Sequence, residues 1–213
     1  MKLQNSEHTS RPWRIREIAW DFTLLDVWAL PVDGSAKDFD DLIELVISAD
    51  PANAESLPTR FLWRVRDRAG EWFGLGRIST PADGASADGV ERTIPGMDQT
   101  TLTDRLPSEL RNSTGNLRFA ALPFVPLYRT DREFAAELSN KTVHGLMHLG
   151  WVEQGDGTFT GQMAVYVQPR GRFGAYYMKL IEPFRQLIVY PALMRQIART
   201  WAARGSSGLK GVS

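Results

Sequence analysis

The chain has 213 residues, 43% of them hydrophobic, with 25 basic and 25 acidic side chains that leave no net charge. This is enough apolar content for one large domain or two small ones, and the balanced charge argues against a general nucleic-acid binder, which carries a basic excess or stripe. The absence of cysteine excludes disulfides, thiol catalysis and thiolate metal sites, and no apolar run reaches the ~18 residues expected of a membrane-spanning helix.

Residues 1–11 are polar and are expected to be a loose, flexible start. They contain no apolar core of a secretory signal, so the expected location is the cytoplasm. From Asp21, the run DFTLLDVWALPV is β-branched and aromatic and reads as a strand buried on much of both sides. Simple alternation puts Phe22, Leu24 and Trp28 on one face and Leu25 and Val27 on the other. Asp26 then falls among the apolar residues, as a hydrogen-bonded or edge position.

Asp33-Gly34-Ser35 is a turn with a plausible N-cap, and Phe39, Leu42, Ile43 and Val46 make a short amphipathic helix. Asp50-Pro51 stops it, because the residue before proline avoids the α region. A second helix is expected from Ser56, with Pro58 tolerated in its first turn and Phe61, Leu62, Val65, Ala69 and Trp72 as its stripe. Arg60, Arg64, Arg66 and Arg68 read as its solvated, salt-bridged face.

Residues 74–117 are rich in Gly, Pro, Ser and Asp and read as a long loop or flap, with a helical turn near 102–112. Gly74-Leu75-Gly76 follows a helix rather than a strand and lacks the rest of a phosphate-binding loop. Strand texture begins at Asn116, broken by Pro123 and Pro126. Thr130 and Glu133 resemble a capping box, yet the alternation of Phe134, Ala136 and Leu138 with Ala135 and Glu137 favours a strand. The next run puts Val143, Met147, Leu149 and Trp151 on one face and Thr142, His144 and His148 on the other. A hairpin turn at Gln154–Gly157 leads to a return strand with Met163, Val165 and Val167 inward and Gln162, Tyr166 and Gln168 outward.

The last long segment, 173–204, places Phe173, Tyr177, Leu180, Phe184, Leu187, Pro191, Met194, Ala198 and Trp201 at alternating steps of 4 and 3, one helical face. Pro183 and Pro191 should kink or break this helix. Residues 204–213 are expected to be a flexible tail. The expected class is therefore α+β: an antiparallel sheet, two short helices after the first strand, and a long kinked C-terminal helix, all in one domain over 12–203.

His144 and His148 would share a helix face, the spacing of a metal site. On a strand they stand ~13 Å apart, too far for one ion, so no metal is expected. Glu133 and Glu137 can lie near a histidine on a neighbouring strand, and a Glu137–His144 pair is the candidate for general acid–base work. No GxSxG nucleophile elbow is present. Met147, Trp151, Met163, Tyr177, Leu180 and Phe184 are large and adaptable, and are the expected wall of a cavity between sheet and helix.

The order strand, helices, strands and long terminal helix resembles the helix-grip architecture of START-like and birch-pollen-allergen-like proteins. The run FTGQMAVYVQPRGRFGAYYMKLIEPFRQLIVYPALMRQI resembles a bacterial family known as domain of unknown function 2867. Gly174, Tyr177, Leu180, Ile181, Pro183, Phe184, Leu187, Ile188 and Val189 occupy its characteristic helix positions. The likeness covers about 12–202, and Arg185 stands where many members have histidine. The resemblance implies a curved sheet wrapped on the helix, with no reaction and no cofactor attached. The readings it leaves are a hydrophobic (lipid- or polyketide-like) small-molecule binder, a cyclase- or hydratase-type enzyme using a Glu/His pair, and an interaction module using the terminal helix.

Overall fold

The computed structural model describes residues 1–49, 101–120, 122, 124–139, 143–169, 186 and 190–208, with side chains described up to Arg204 at the C-terminal end. Six strands form one antiparallel sheet in the order β1-β2-β6-β5-β4-β3: β1 (Lys2–Leu3), β2 (Thr23–Gly34), β3 (Val125–Arg129), β4 (Glu133–Ser139), β5 (Val143–Glu153) and β6 (Phe159–Pro169). Strands β3 to β6 follow one another as a meander, and the sheet is completed by β2 on the free edge of β6. Among the described residues four α-helices, α1 (Asn5–Thr9), α2 (Ile15–Ile18), α3 (Phe39–Ile47) and α4 (Tyr190–Gly208), accompany the sheet.

One face of the sheet carries Trp28, Leu30, Val32, Phe134, Ala136, Met147, Leu149, Trp151 and Met163. Phe39, Leu42, Ile43 and Val46 of α3 pack there, with Tyr190 and Ile197 of α4. These are the four apolar α3 positions read from periodicity, and the helix starts where Ser35 and Asp38 form a capping box. Trp201 fixes α4 through an Nε1–H bond to the Asp33 carbonyl at 3.1 Å. Arg204 pairs with Asp38 (2.8 Å) and Asp41, and α4 is described as far as Gly208, into the stretch expected as a flexible tail. The second helix expected from Ser56 and the kink expected at Pro183 lie outside the described residues, and Pro191 stands at the start of the described part of the long helix.

The other face is also covered. Trp13, Ile15, Ile18, Ala19 and Phe22 lie on it with Leu102, Leu106 and Leu110, over Tyr128, Ala135, Leu146, Val152, Ala164 and Tyr166. This corrects two expectations. The start of the chain is not simply loose: Lys2–Leu3 pairs with β2, Asn5–Thr9 is helical, and His8 is fully buried. The segment expected as a flap over 74–117 has core of its own where it is described, three buried leucines, while its 3-10 turn at Leu102–Arg105 falls where a helical turn was expected. Residues expected to point outward, His144, His148, Gln162 and Tyr166, are consequently at most 5% exposed.

A slip in β2 explains a third difference. Leu24 stands opposite Tyr166 and Asp26 opposite Val165, so one residue is extra and the alternation inverts. Phe22 and Leu24 belong to one face and Trp28 to the other. A second irregularity, between Ala29 and Asp33, contains Pro31, which has no N–H to give the ladder. Gly161 lies beneath it: a Cβ there would stand 2.6 Å from Val32 Cγ2 and 3.1 Å from Leu30. Asp26 is buried and pairs with Lys2 of the edge strand at 3.0 Å.

Candidate functional site

On the helix side, Met147, Trp151 and Met163 lie in one apolar cluster, as the sequence pattern required. Trp151 stacks between Phe39 and Phe159, with centroids 6.0 and 6.2 Å away, and its Nε1–H donates to the Ser35 carbonyl at 2.9 Å. The remaining wall candidates, Tyr177, Leu180 and Phe184, lie outside the described residues. Trp28, which was not among the expected wall residues, stands opposite Met163 and packs its ring on Tyr190, centroid to centroid 4.8 Å. Its indole Nε1 is buried and has no hydrogen-bond partner among the described residues. A buried N–H left unpaired costs roughly 1–3 kcal/mol, so this donor is conspicuous in an otherwise apolar cluster.

The opposite face carries a ladder of carboxylate–imidazole pairs. Glu133 and Glu137 are four residues apart on β4, and His144 and His148 four apart on β5. Glu133 lies opposite Gly150 and Glu137 opposite Leu146, and each reaches diagonally to the histidine two residues back. The Glu137 Oε2–His144 Nε2 and Glu133 Oε2–His148 Nε2 distances are both 3.1 Å. The candidate pair Glu137–His144 is thus brought together, although on the face away from α4. Each histidine faces its own carboxylate. Among the described residues no group of three or more such side chains is gathered as a metal ion requires.

Both carboxylates are committed. Glu137 accepts from the Thr101 hydroxyl and from the Leu102 N–H at 3.1 Å, capping the 3-10 turn, while Phe22 lies edge-on to His144 at 5.0 Å. Glu133 accepts from the Arg14 N–H (2.9 and 3.1 Å), the Tyr128 hydroxyl (2.9 Å) and His148. Burial pushes the Glu133 carboxyl up, but the His148, Arg14 and Tyr128 donors outweigh it, so it lies below its ordinary range. Burial, followed by the Glu133 charge, holds the Tyr128 hydroxyl well above its usual value.

His148 is fully buried, and burial lowers its pKa despite Glu133. A neutral ring donates Nε2–H to Glu133 and leaves Nδ1 as an acceptor without a partner among the described residues. Against it stand Trp13 (5.3 Å) and His8 (5.1 Å, edge-on). The Trp13 ring fits because position 150 is glycine; a Cβ there would come within 2.9 Å of it. His8 is bonded at both nitrogens, to Gln162 Oε1 at 2.6 Å and to the Tyr166 hydroxyl at 2.9 Å. Burial and then the neighbouring His148 lower its pKa to about 4. Sequence reasoning placed Glu133 and Glu137 near a histidine but missed His8, Trp13, Tyr128, Gln162 and Tyr166, whose partners lie up to 158 residues apart.

Among the described residues no helix is long and apolar enough to cross a membrane. No curated protein matches the chain, and no solved structure matches it. The family described as "Protein of unknown function (DUF2867)" matches residues 18–192, which takes in β2 to β6, α3 and the start of α4. The chain belongs to that family.

Proposed function

We propose that the chain binds an apolar small molecule carrying a hydrogen-bond acceptor, seated between the sheet face of Trp28, Met147, Trp151 and Met163 and the C-terminal helix. The observation that carries this reading is the buried Trp28 N–H, without a partner among the described residues, within the apolar cluster. A ligand carbonyl, ester or ether oxygen would complete it. The fold supports the reading: the first long strand lies beside the last, and α4 crosses that face, the arrangement a START-like helix grip requires. The Tyr177, Leu180 and Phe184 side chains would complete the wall.

The cyclase or hydratase reading has one observation in its favour, the buried Glu137–His144 contact. Both Glu137 oxygens are occupied by the chain's own donors and the pair faces away from α4, so it serves better as the tie that fastens Thr101–Leu102 to the sheet. The interaction-module reading needs an apolar patch on the helix. Leu193, Met194 and Trp201 pack inward, and the exposed large apolar residues among those described are Met1 and Trp20.

The test is a fluorescence titration with a dimethylamino-naphthyl ketone, an apolar probe whose carbonyl is an acceptor. Wild-type protein is expected to bind it saturably with blue-shifted emission, and Trp28→Phe to bind about tenfold more weakly, the loss of one hydrogen bond. Absence of saturable binding would overturn the proposal, and equal affinity in the variant would remove the role given to Trp28.

A further inference from the structure

We propose that the segment Lys2–Trp13 is a proton-released strap, hinged at Arg14, that covers the Glu133–His148 pair at neutral pH and lifts from the sheet in mild acid. Between residues 2 and 13 only His8 and Trp13 are buried. The rest of the attachment lies at the rim: a two-residue strand prolonged by Met1, which bonds Ala29 through both its amine and its carbonyl, Leu3 half-buried on the core, the ion pair of Lys2 with the buried Asp26, an Asn5 amide bond to the Leu24 carbonyl and an Arg16 bond to the Thr9 carbonyl. The buried side chains that fasten the middle and end of the segment are thus an imidazole and an indole lying on that imidazole and on a second one, at 6.0 and 5.3 Å.

The fastening requires neutral rings. His8 uses one nitrogen as donor to the Gln162 carbonyl oxygen and the other as acceptor from the Tyr166 hydroxyl. Protonation makes both nitrogens donors and reverses the second bond. The groups facing His8 are Gln162 and Tyr166 from β6, His148 from β5, Glu133 from β4, and Trp13 and Arg16 from its own end of the chain. Glu133 is the one anion among them and already accepts from Arg14, Tyr128 and His148. Two protonated imidazoles with centroids 5.1 Å apart would repel each other in a closed interior. Burial lowers the proton affinity of both rings, and at His8 the neighbouring His148 lowers it further.

Once the strap lifts, His8 returns to the ordinary histidine range near 6.5, and His148, uncovered beside Glu133, takes a proton readily. Each proton gained on opening raises the opening constant about tenfold per pH unit below that range. His8 alone gives tenfold per unit, and both histidines give a hundredfold. Ile15 and Ile18, fully or nearly buried beyond the hinge, stay docked.

The experiment is hydrogen exchange by mass spectrometry on the full chain between pH 7.5 and 5.0, with rates corrected for intrinsic pH dependence. Protection of peptides spanning 2–13 is expected to fall at least tenfold per pH unit below about 6.5 while β4 and β5 keep theirs. His8→Gln, which cannot take the proton, should reduce that steepness by a factor of about ten per pH unit. Gln162→Glu leaves the strap itself unchanged and supplies an anion to protonated His8, so release should move to lower pH. Protection of 2–13 that ignores pH, that falls in step with β4 and β5, or that keeps the wild-type profile in Gln162→Glu overturns the proposal.

Discussion

Glu133 accepts from a backbone N–H, a tyrosine hydroxyl and an imidazole, each contributed by a different stretch of chain. Removing such a hub leaves several buried donors unpaired, whereas removing one spoke leaves the hub mostly satisfied. Glu133→Ala should therefore cost about 3–5 kcal/mol, and Tyr128→Phe about 1–2 kcal/mol, in urea denaturation of otherwise unchanged protein. Equal losses would mean that Glu133 does not organise the network. At this scale the sequence was informative about half of the ladder. Alternation put Glu137 and His144 on strands that could meet, and a shared strand parity carries Glu133 and His148 to the same face. The third layer of partners was hidden because His8 sits in a polar run with no periodicity, and nothing local marks its contact with Tyr166.

Among the elements, β4 shows how tertiary context decides an ambiguous segment. The capping-box pattern from Thr130 is real to the extent that Thr130 Oγ1 accepts from the Glu133 N–H at 2.9 Å. The Glu133 side chain goes to the buried network instead of back to the cap, and the chain continues as a strand with three of its central residues, Phe134, Ala135 and Ala136, fully buried. Strand β2 was legible in extent but not in facing, because an inserted residue carries no signal in an apolar run. The irregular turn of β2 over Gly161 gives a prediction at the same scale. Gly161→Ala would push its Cβ into Val32 and should cost about 1–3 kcal/mol. Val32→Ala removes the atom in the way, so the double variant should be more stable than the two single losses predict by about 1 kcal/mol or more. Strict additivity in a denaturant double-mutant cycle would show that the close approach is not what keeps position 161 as glycine.

For the whole molecule, two layers on one sheet divide the labour: α3 and α4 cover the apolar face, and the chain's start with 101–110 covers the titratable one. This division sets the pH dependence. The pKa of His8 is about 4 when folded and near 6.5 when unfolded, so the unfolded chain binds the proton first. Its contribution to stability is full above about 6.5 and is lost as pH falls toward 4, and His148 is shifted in the same direction. The carboxylates act in a lower window. Asp21, lowered by its Arg105 bond, Asp38, lowered by Ser35, and Glu133 are depressed when folded, so their stabilisation persists until pH falls below the usual carboxylate range. With the strap closed throughout, His8 alone would remove on the order of 3 kcal/mol over its window. A lifted strap caps that loss, because a released His8 titrates as it does in the unfolded chain. Urea midpoints measured from pH 7.5 to 3 should therefore decline below 6.5, flatten once the strap is open, and decline again in the carboxylate window. His8→Gln should shallow the first decline and leave the last one unchanged. A wild-type curve level down to pH 4.5, with protection of residues 2–13 equally insensitive to pH, would mean that neither histidine is held neutral by the fold.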